Sequence, residues 1–310
     1  MDLPLKLASL GRRAANHGAL YAILLPTILF YVIFSYIPMA GVTLAFKSFD
    51  YSKGMWDSPW VGWANFATVF GEAEFWNSVV NTLIIAAMRL VVEFPVPILL
   101  ALLIHVIHVK VFKSAIQSIL TFPHFISWII VGGMMVNILG SAGVANGVLS
   151  LFGLPANRVL LDGDTFRWFL VVSNLWKEAG WGCIIYLAAI SGINPEMYEA
   201  AALDGAGAWH KITKITLPAI GSTIVVMLVL FLSGVMSSGG GGFDQIFNTY
   251  NPSVIDKADI VDTYIFRRTF YSGESFETST AVGLFKSVIN FALVLGANYF
   301  TKKLGEEGVF

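Results

Sequence analysis

Six stretches of this chain are apolar for long enough to cross a bilayer, and no other feature restricts its fold as much. A helix needs roughly 20 residues to span the hydrocarbon layer. The windows are 20–46, 79–107, 115–139, 166–193, 217–236 and 280–300. Composition agrees: 56% of the 310 residues are hydrophobic and 13% are charged. Soluble domains carry roughly a quarter charged residues. This chain has too few charges to coat a water-facing surface, so lipid is part of its solvent. The sequence therefore predicts an all-α, polytopic membrane protein with six transmembrane helices. The formal net charge of −1 and the lack of a long basic run give no sign of nucleic-acid binding. Cys183 is the single cysteine, so no intrachain disulfide can form.

Lys and Arg at the span ends set the orientation. One group of loops holds Lys6, Arg12, Arg13, Lys110, Lys113, Lys211, Lys214, Lys302 and Lys303. The opposite group is longer, acid-rich and sparser in positive charge. The first group is placed in the cytoplasm, with both termini: a segment 1–18, a transmembrane domain 19–303 and a tail 304–310. The first window is too long for the apolar core of a signal peptide and reads as a retained helix. Trp60, Trp63, Phe75 and Trp76 precede the second window, and Phe166 and Trp168 open the fourth, where interfacial aromatics belong. Residues 260–270 read as a short amphipathic helix in the outer interface.

The cytoplasmic loop 194–218 is longer than a connector needs to be. Asn194 is a suitable N-cap, Pro195 suits the first helical position, and Glu196 favours the positive end of the helix dipole. A helix is predicted from Pro195 to about Leu203. Gly205 follows where a left-handed cap residue belongs. Helix resumes near Ala208 and approaches Pro218. The small residues Ala200, Ala201 and Ala202 would let another protein come close, and Glu199 and Asp204 offer charges for an interface.

Glu199-Ala200-Ala201, three residues, Gly205, nine residues, then Ile215-x-Leu217-Pro218 resembles the EAA motif of binding-protein-dependent import permeases. Asn81-Thr82-Leu83, the Glu93–Pro97 segment and the terminal Lys303–Gly308 resemble the polysaccharide-type branch, related to the maltose transporter permeases. The resemblance implies the type I ATP-binding-cassette importer permease fold, with the loop as a coupling helix. It implies coupling roles for Glu199, Ala200, Ala201, Asp204, Gly205, Ile215, Leu217 and Pro218. Implied partners are a second permease subunit, a pair of ATPases that hold ATP and Mg, an extracytoplasmic solute-binding protein and an oligosaccharide. ATP-driven closure of the ATPases would draw the coupling loops together and turn the spans outward.

Several charges lie inside the windows. Arg89 and Glu93 are four apart and share a helix face. Lys177 and Glu178 sit beside Asn174 and Trp176 in the fourth window. Charge at this depth faces protein or water. A sugar path would use all six residues, with Trp176 stacking on a ring. An Arg89–Glu93 lock between helices is an equal reading. Pro95 and Pro97 interrupt the second window, either to line a cavity or to curve the helix. The run through Gly240 and Gly241, followed by Phe243, Asp244 and Gln245, reads as an outer loop, at a gate, at the binding-protein dock or as a linker. His105 and His108 are read as interfacial, since no third metal ligand is near. No Walker-type loop or nucleophile elbow occurs, so the energy source is expected in another chain. An ion-coupled carrier would account for Glu93 and Glu178 but not for the 194–218 motif. An integral membrane enzyme lacks any catalytic constellation.

Overall fold

The computed structural model describes residues 18–237, 242–271 and 276–303. Among these residues the structure is helical, with one isolated β-bridge, Lys47 to Trp60. The principal helices are α1 (Gly18–Tyr31), α2 (Ala73–Val92), α3 (Pro95–Val106), α4 (Lys110–Thr121), α5 (Trp128–Leu139), α6 (Val144–Leu151), α7 (Gly163–Ser191), α8 (Pro195–Leu203), α9 (Ala208–Lys211), α10 (Gly221–Ser233), α11 (Gly242–Phe247), α12 (Val261–Phe270) and α13 (Phe276–Lys303). The chain divides into two compact units, residues 1–67 with 275–284, and residues 68–274 with 285–310. In the first, Ala45, Phe66 and Ala281 form a small core. There Lys47 is buried and donates to the carbonyls of Met55 (2.9 Å) and Trp56 (2.7 Å).

Proline shapes the apolar helices. Two π-helical turns, Val32–Tyr36 and Ile212–Thr216, each end two residues before a proline, Pro38 and Pro218. A proline cannot donate to the carbonyl four residues back, and its ring crowds that carbonyl. Widening the preceding turn relieves the crowding and keeps the helix running. At Ile220, just after Pro218, the chain bends by 60° into α10. At Pro95 the break is milder. The amides of Glu93 and Phe94 share the carbonyl of Arg89, at 2.7 and 3.2 Å, and α3 starts at the proline.

Four stretches are long and apolar enough to cross a membrane: Gly18–Phe46, Ala73–Val106, Trp128–Leu151 and Phe276–Lys303. The bent pair Ala208–Ala219 and Gly221–Ser233 makes a fifth. The fourth sequence window falls on α7, whose 29 residues reach about 43 Å at 1.5 Å per residue. Its length suffices, but Asn174, Lys177 and Glu178 lower its hydropathy. The third window needs correction. Residues 115–139 do not form one helix: a 3-10 turn at Phe122–Phe125 separates α4 from α5. Pro123 withholds a backbone donor there, and Ser127 restarts the helix by accepting from the amide of Ile130 at 3.4 Å. The apolar stretch long enough to cross is instead 128–151.

The longest helix, α7, is the hub of the second unit. Phe166, Phe169 and Leu170 enter one core with Ile85, Ile246 and Ile260. Cys183, Tyr186, Leu187 and Ile190 enter another with Ala101, Leu102, Ile104 and Ile220. Gly180 lets α7 touch α4 and the turn after it. A Cβ there would lie 2.0 Å from the carbonyl oxygen of Leu120.

The amphipathic helix expected at 260–270 is α12, but it does not lie free in an interface. Val261, Thr263 and Tyr264 are buried against α2. Tyr264 and Arg268 both bind Glu72, at 2.6 and 2.7 Å, and Arg267 binds Asp259 at 2.6 Å. Burial raises the pKa of Asp259, against the opposing pull of the Thr263 hydroxyl and Arg267. The buried Asn81 donates to the carbonyls of Asp256 and Asp259, both at 3.0 Å. Thr82 accepts from the amide of Val261 at 3.0 Å. The Asn-Thr pair thus ties α2 to the segment before α12.

Candidate functional site

The 194–218 loop is closed at both ends by its own residues. The Asn194 carboxamide accepts from the amide of Glu196 at 3.1 Å, and Pro195 opens α8. At the other end Gly205 has φ +76°. Its amide donates to the carbonyl of Ala202 (3.1 Å), and that of Ala206 donates to Ala201 (2.8 Å). This paired closure is the Schellman arrangement, in which glycine adopts the left-handed region at little cost.

No residue of α8 is buried. Tyr198 is the inward anchor: its hydroxyl shares a hydrogen bond of 2.9 Å with Thr216, and its ring meets that of His105. The outward side carries Met197, Glu199, Ala200 and Asp204, with Leu203 90% exposed. Trp209 is also exposed. Among the described residues Glu199 and Asp204 form no ion pair with this chain. Of the motif's remaining residues, Ile215 lies in the π turn and Leu217 and Pro218 in the turn that follows it.

A second constellation lies within the helices. Arg89 is 2% exposed, meets Glu93 at 3.4 Å and donates to the side chain of Gln245. Gln245 passes the chain on to the carbonyl of Leu170 (2.7 Å) and the hydroxyl of Ser173 (2.8 Å). Asn174 donates to Glu93 at 2.6 Å. One turn further along α7, Lys177 binds the carbonyl of His124 (2.7 Å) and the carboxylate of Glu178 (3.1 Å). Glu178 also meets the His124 ring nitrogen at 2.7 Å, and that ring stacks on Trp181 at 4.4 Å. Glu93, Asn174, Glu178 and Trp181, with Phe94 and Phe231, face a cavity of about 330 Å³. The Asn174 carbonyl oxygen is buried and finds no hydrogen-bond partner among the described residues.

The profile of the family described as "Binding-protein-dependent transport system inner membrane component" matches residues 93–239, which take in the cavity-facing part of α7 and the whole 194–218 loop. LplB of Bacillus subtilis (strain 168) is 42% identical over 296 residues, covering 94% of this chain and 91% of that protein. The chain belongs to this family. A second relative from the same organism, the polygalacturonan/rhamnogalacturonan transport system permease protein YteP, is 39% identical over 292 residues, covering 94% and 90%. A crystal structure of a bacterial ATP-binding-cassette transporter involved in import of the acidic polysaccharide alginate matches with a TM-score of 0.86 at 40% identity, over 95% of this chain and 99% of that one. A second crystal structure shows the bacterial alginate transporter in complex with an alginate pentasaccharide-bound periplasmic protein. It matches with a TM-score of 0.86 at 39% identity, over 96% and 99%.

The chain is thus a multi-pass inner-membrane permease of an importer that works with a binding protein. The ion-coupled carrier reading is not favoured. Within this permease the predicted site residues separate. Glu93, Asn174 and Glu178 line one cavity, while Arg89 and Lys177 stand buried behind their carboxylate partners. Trp176 points elsewhere and is partly exposed; Trp181 lines the cavity instead. Helical spacing could have found it, since 174, 178, 181 and 185 share one face. His124 had no such signal, being more than a dozen turns of sequence away. Gln245, read as part of an outer loop, is fully buried because α11 turns it toward Arg89. Phe243 stacks on Phe247 and packs against Phe266, and Asp244 stays exposed. Gly240 and Gly241, residues 1–17 and the tail 304–310 lie outside the described residues.

Proposed function

We propose that this permease is the non-catalytic translocation subunit for oligosaccharides cut from polysaccharides, uronate-containing ones among them. Its 194–218 loop docks on a separate ATPase. The observation that carries the docking role is α8 itself, a helix capped at both ends with no buried residue and with Leu203 90% exposed. A helix so exposed has stability supplied by its caps and its Tyr198 anchor, and an outer side available to another chain. Glu199 and Asp204 pair across that interface, while Ala200 and Ala201 permit close approach. Gly205 fixes the angle at which the loop leaves α8. Ile215, Leu217 and Pro218 join the loop to the bent span, so displacement of α8 is passed to α10.

The carbohydrate reading draws support from the relatives, which handle polygalacturonan, rhamnogalacturonan and alginate. The cavity chemistry suits such a ligand. Its carboxylates accept from sugar hydroxyls, and Trp181 offers a ring face. Arg89 and Lys177 balance the wall charge, so an anionic sugar meets a near-neutral surface. A second permease completes the path, two ATPase subunits hold ATP and Mg, and both termini of this chain are cytoplasmic.

The test is substrate-stimulated ATPase activity of the reconstituted complex. Glu199→Lys and Gly205→Asp should leave the complex assembled in the membrane and abolish stimulation. Stimulation at the level of the unmodified complex in either variant would refute the coupling role. A panel of neutral and uronate oligosaccharides titrated onto the partner binding protein identifies the cargo.

A further inference from the structure

Behind the coupling loop, on the side of Tyr198, lies a second cavity of about 360 Å³, apart from the one that Glu93 and Trp181 face. Its polar lining is His105, His108, Lys211, Tyr198 and Thr216, and among the described residues no carboxylate borders it. The charges that bear on His105 are those of Lys113 and His108. Lys211, Lys113 and Lys110 form no ion pair among the described residues. Nor does any group of three His, Cys, Asp or Glu side chains there suit a metal ion. The hollow therefore gathers one lysine cation, two imidazoles and two hydroxyls, with no counter-charge among the described residues. Beside it, α4 has no buried residue, and Val109, Val111 and Phe112 are exposed. Apolar side chains next to basic ones at a span end characterise an interfacial segment. Basic pockets between spans on the cytoplasmic side hold anionic headgroups.

We propose that this cavity binds the phosphate of an anionic phospholipid of the inner leaflet. Lys211 supplies the charge, His105 and His108 flank the phosphate, and the Tyr198 hydroxyl, which shares its hydrogen bond with Thr216, borders it. The acyl chains run along Val109, Val111 and Phe112. Because Tyr198, Lys211 and Thr216 all belong to the 194–218 loop, the bound lipid fixes the loop's root against α3. The proposal rests on the cytoplasmic placing of that loop.

Native mass spectrometry of the complete importer, exchanged into mixed phosphatidylglycerol and phosphatidylcholine, tests it. The unmodified complex should retain phosphatidylglycerol preferentially. Lys211→Gln should cut that preference about fivefold, as for loss of one surface charge near a membrane, and Lys211→Arg should restore it. No preference in the unmodified complex, or an equal preference in the Gln variant, overturns the proposal. Saturable binding of inorganic phosphate to a complex that shows no lipid preference overturns the lipid source. A cysteine placed at Asp204 that labels only from outside overturns the topology and the inner-leaflet assignment with it, whereas a missing lipid preference with cytoplasmic labelling intact overturns the pocket alone.

Discussion

The 194–218 loop and the buried cluster around Arg89 are both rich in polar groups, yet they balance charge in opposite ways. In the cluster, charges are answered inside the chain: Arg89 by Glu93 and Gln245, Lys177 by Glu178 and the His124 carbonyl. In the loop the backbone is satisfied locally, while Glu199 and Asp204 face outward with no ion-pair partner among the described residues. The low-dielectric interior makes an unanswered charge expensive, so a permease must carry its own counter-charges there. At the exposed loop an unanswered charge costs little and remains available to another protein. The difference separates the machinery that the permease completes alone from the surface that waits for a subunit.

Breaking one partner should hurt the two regions very differently. Arg89→Met leaves the Glu93 carboxylate without its counter-charge and the Gln245 carbonyl oxygen without its Arg89 donor, and should cost about 3–5 kcal/mol, as for other broken buried pairs. Thermal unfolding in detergent reads the loss, and replacing Glu93 and Gln245 with Leu as well should recover most of it. A single variant as stable as the triple one would mean that the cluster is not self-balanced. Gly180→Val comes next. Its Cβ would meet the Leu120 carbonyl at 2.0 Å, so α7 and the end of α4 must part, at about 1–3 kcal/mol. Loosening of the His124–Trp181 stack should then show as a change in Trp fluorescence. Asn194→Ala should be the mildest, at about 1 kcal/mol confined to α8. Hydrogen exchange across 195–203 should quicken while global unfolding stays put; equal destabilisation throughout would erase the contrast.

The loop was legible in the sequence because its rules are local. Asn194, Pro195 and Gly205 each act on a backbone group within a few residues, so the ends of α8 follow from order alone. The cluster was half legible. Arg89 and Glu93 are one turn apart and could be paired, but Gln245 is 156 residues from Arg89 and His124 is 54 from Glu178. Nothing local marks such partners, since tertiary packing selects them. The broken third window has a similar cause. Phe122, Phe125 and Ile126 keep the 122–127 segment apolar on average, so hydropathy sees one span, whereas Pro123 and the cap at Ser127 divide the helix. Charge inside α7 did not prevent its recognition, because its length outweighed three polar residues.

The claim that α8 presents its outer side to an ATPase is open to direct capture. A photo-crosslinking residue at Leu203, in the assembled importer, should give an adduct with the ATPase subunit; the same residue at Asp244 should give none. An active importer in which the Leu203 probe captures only lipid, or captures the binding protein, would contradict it.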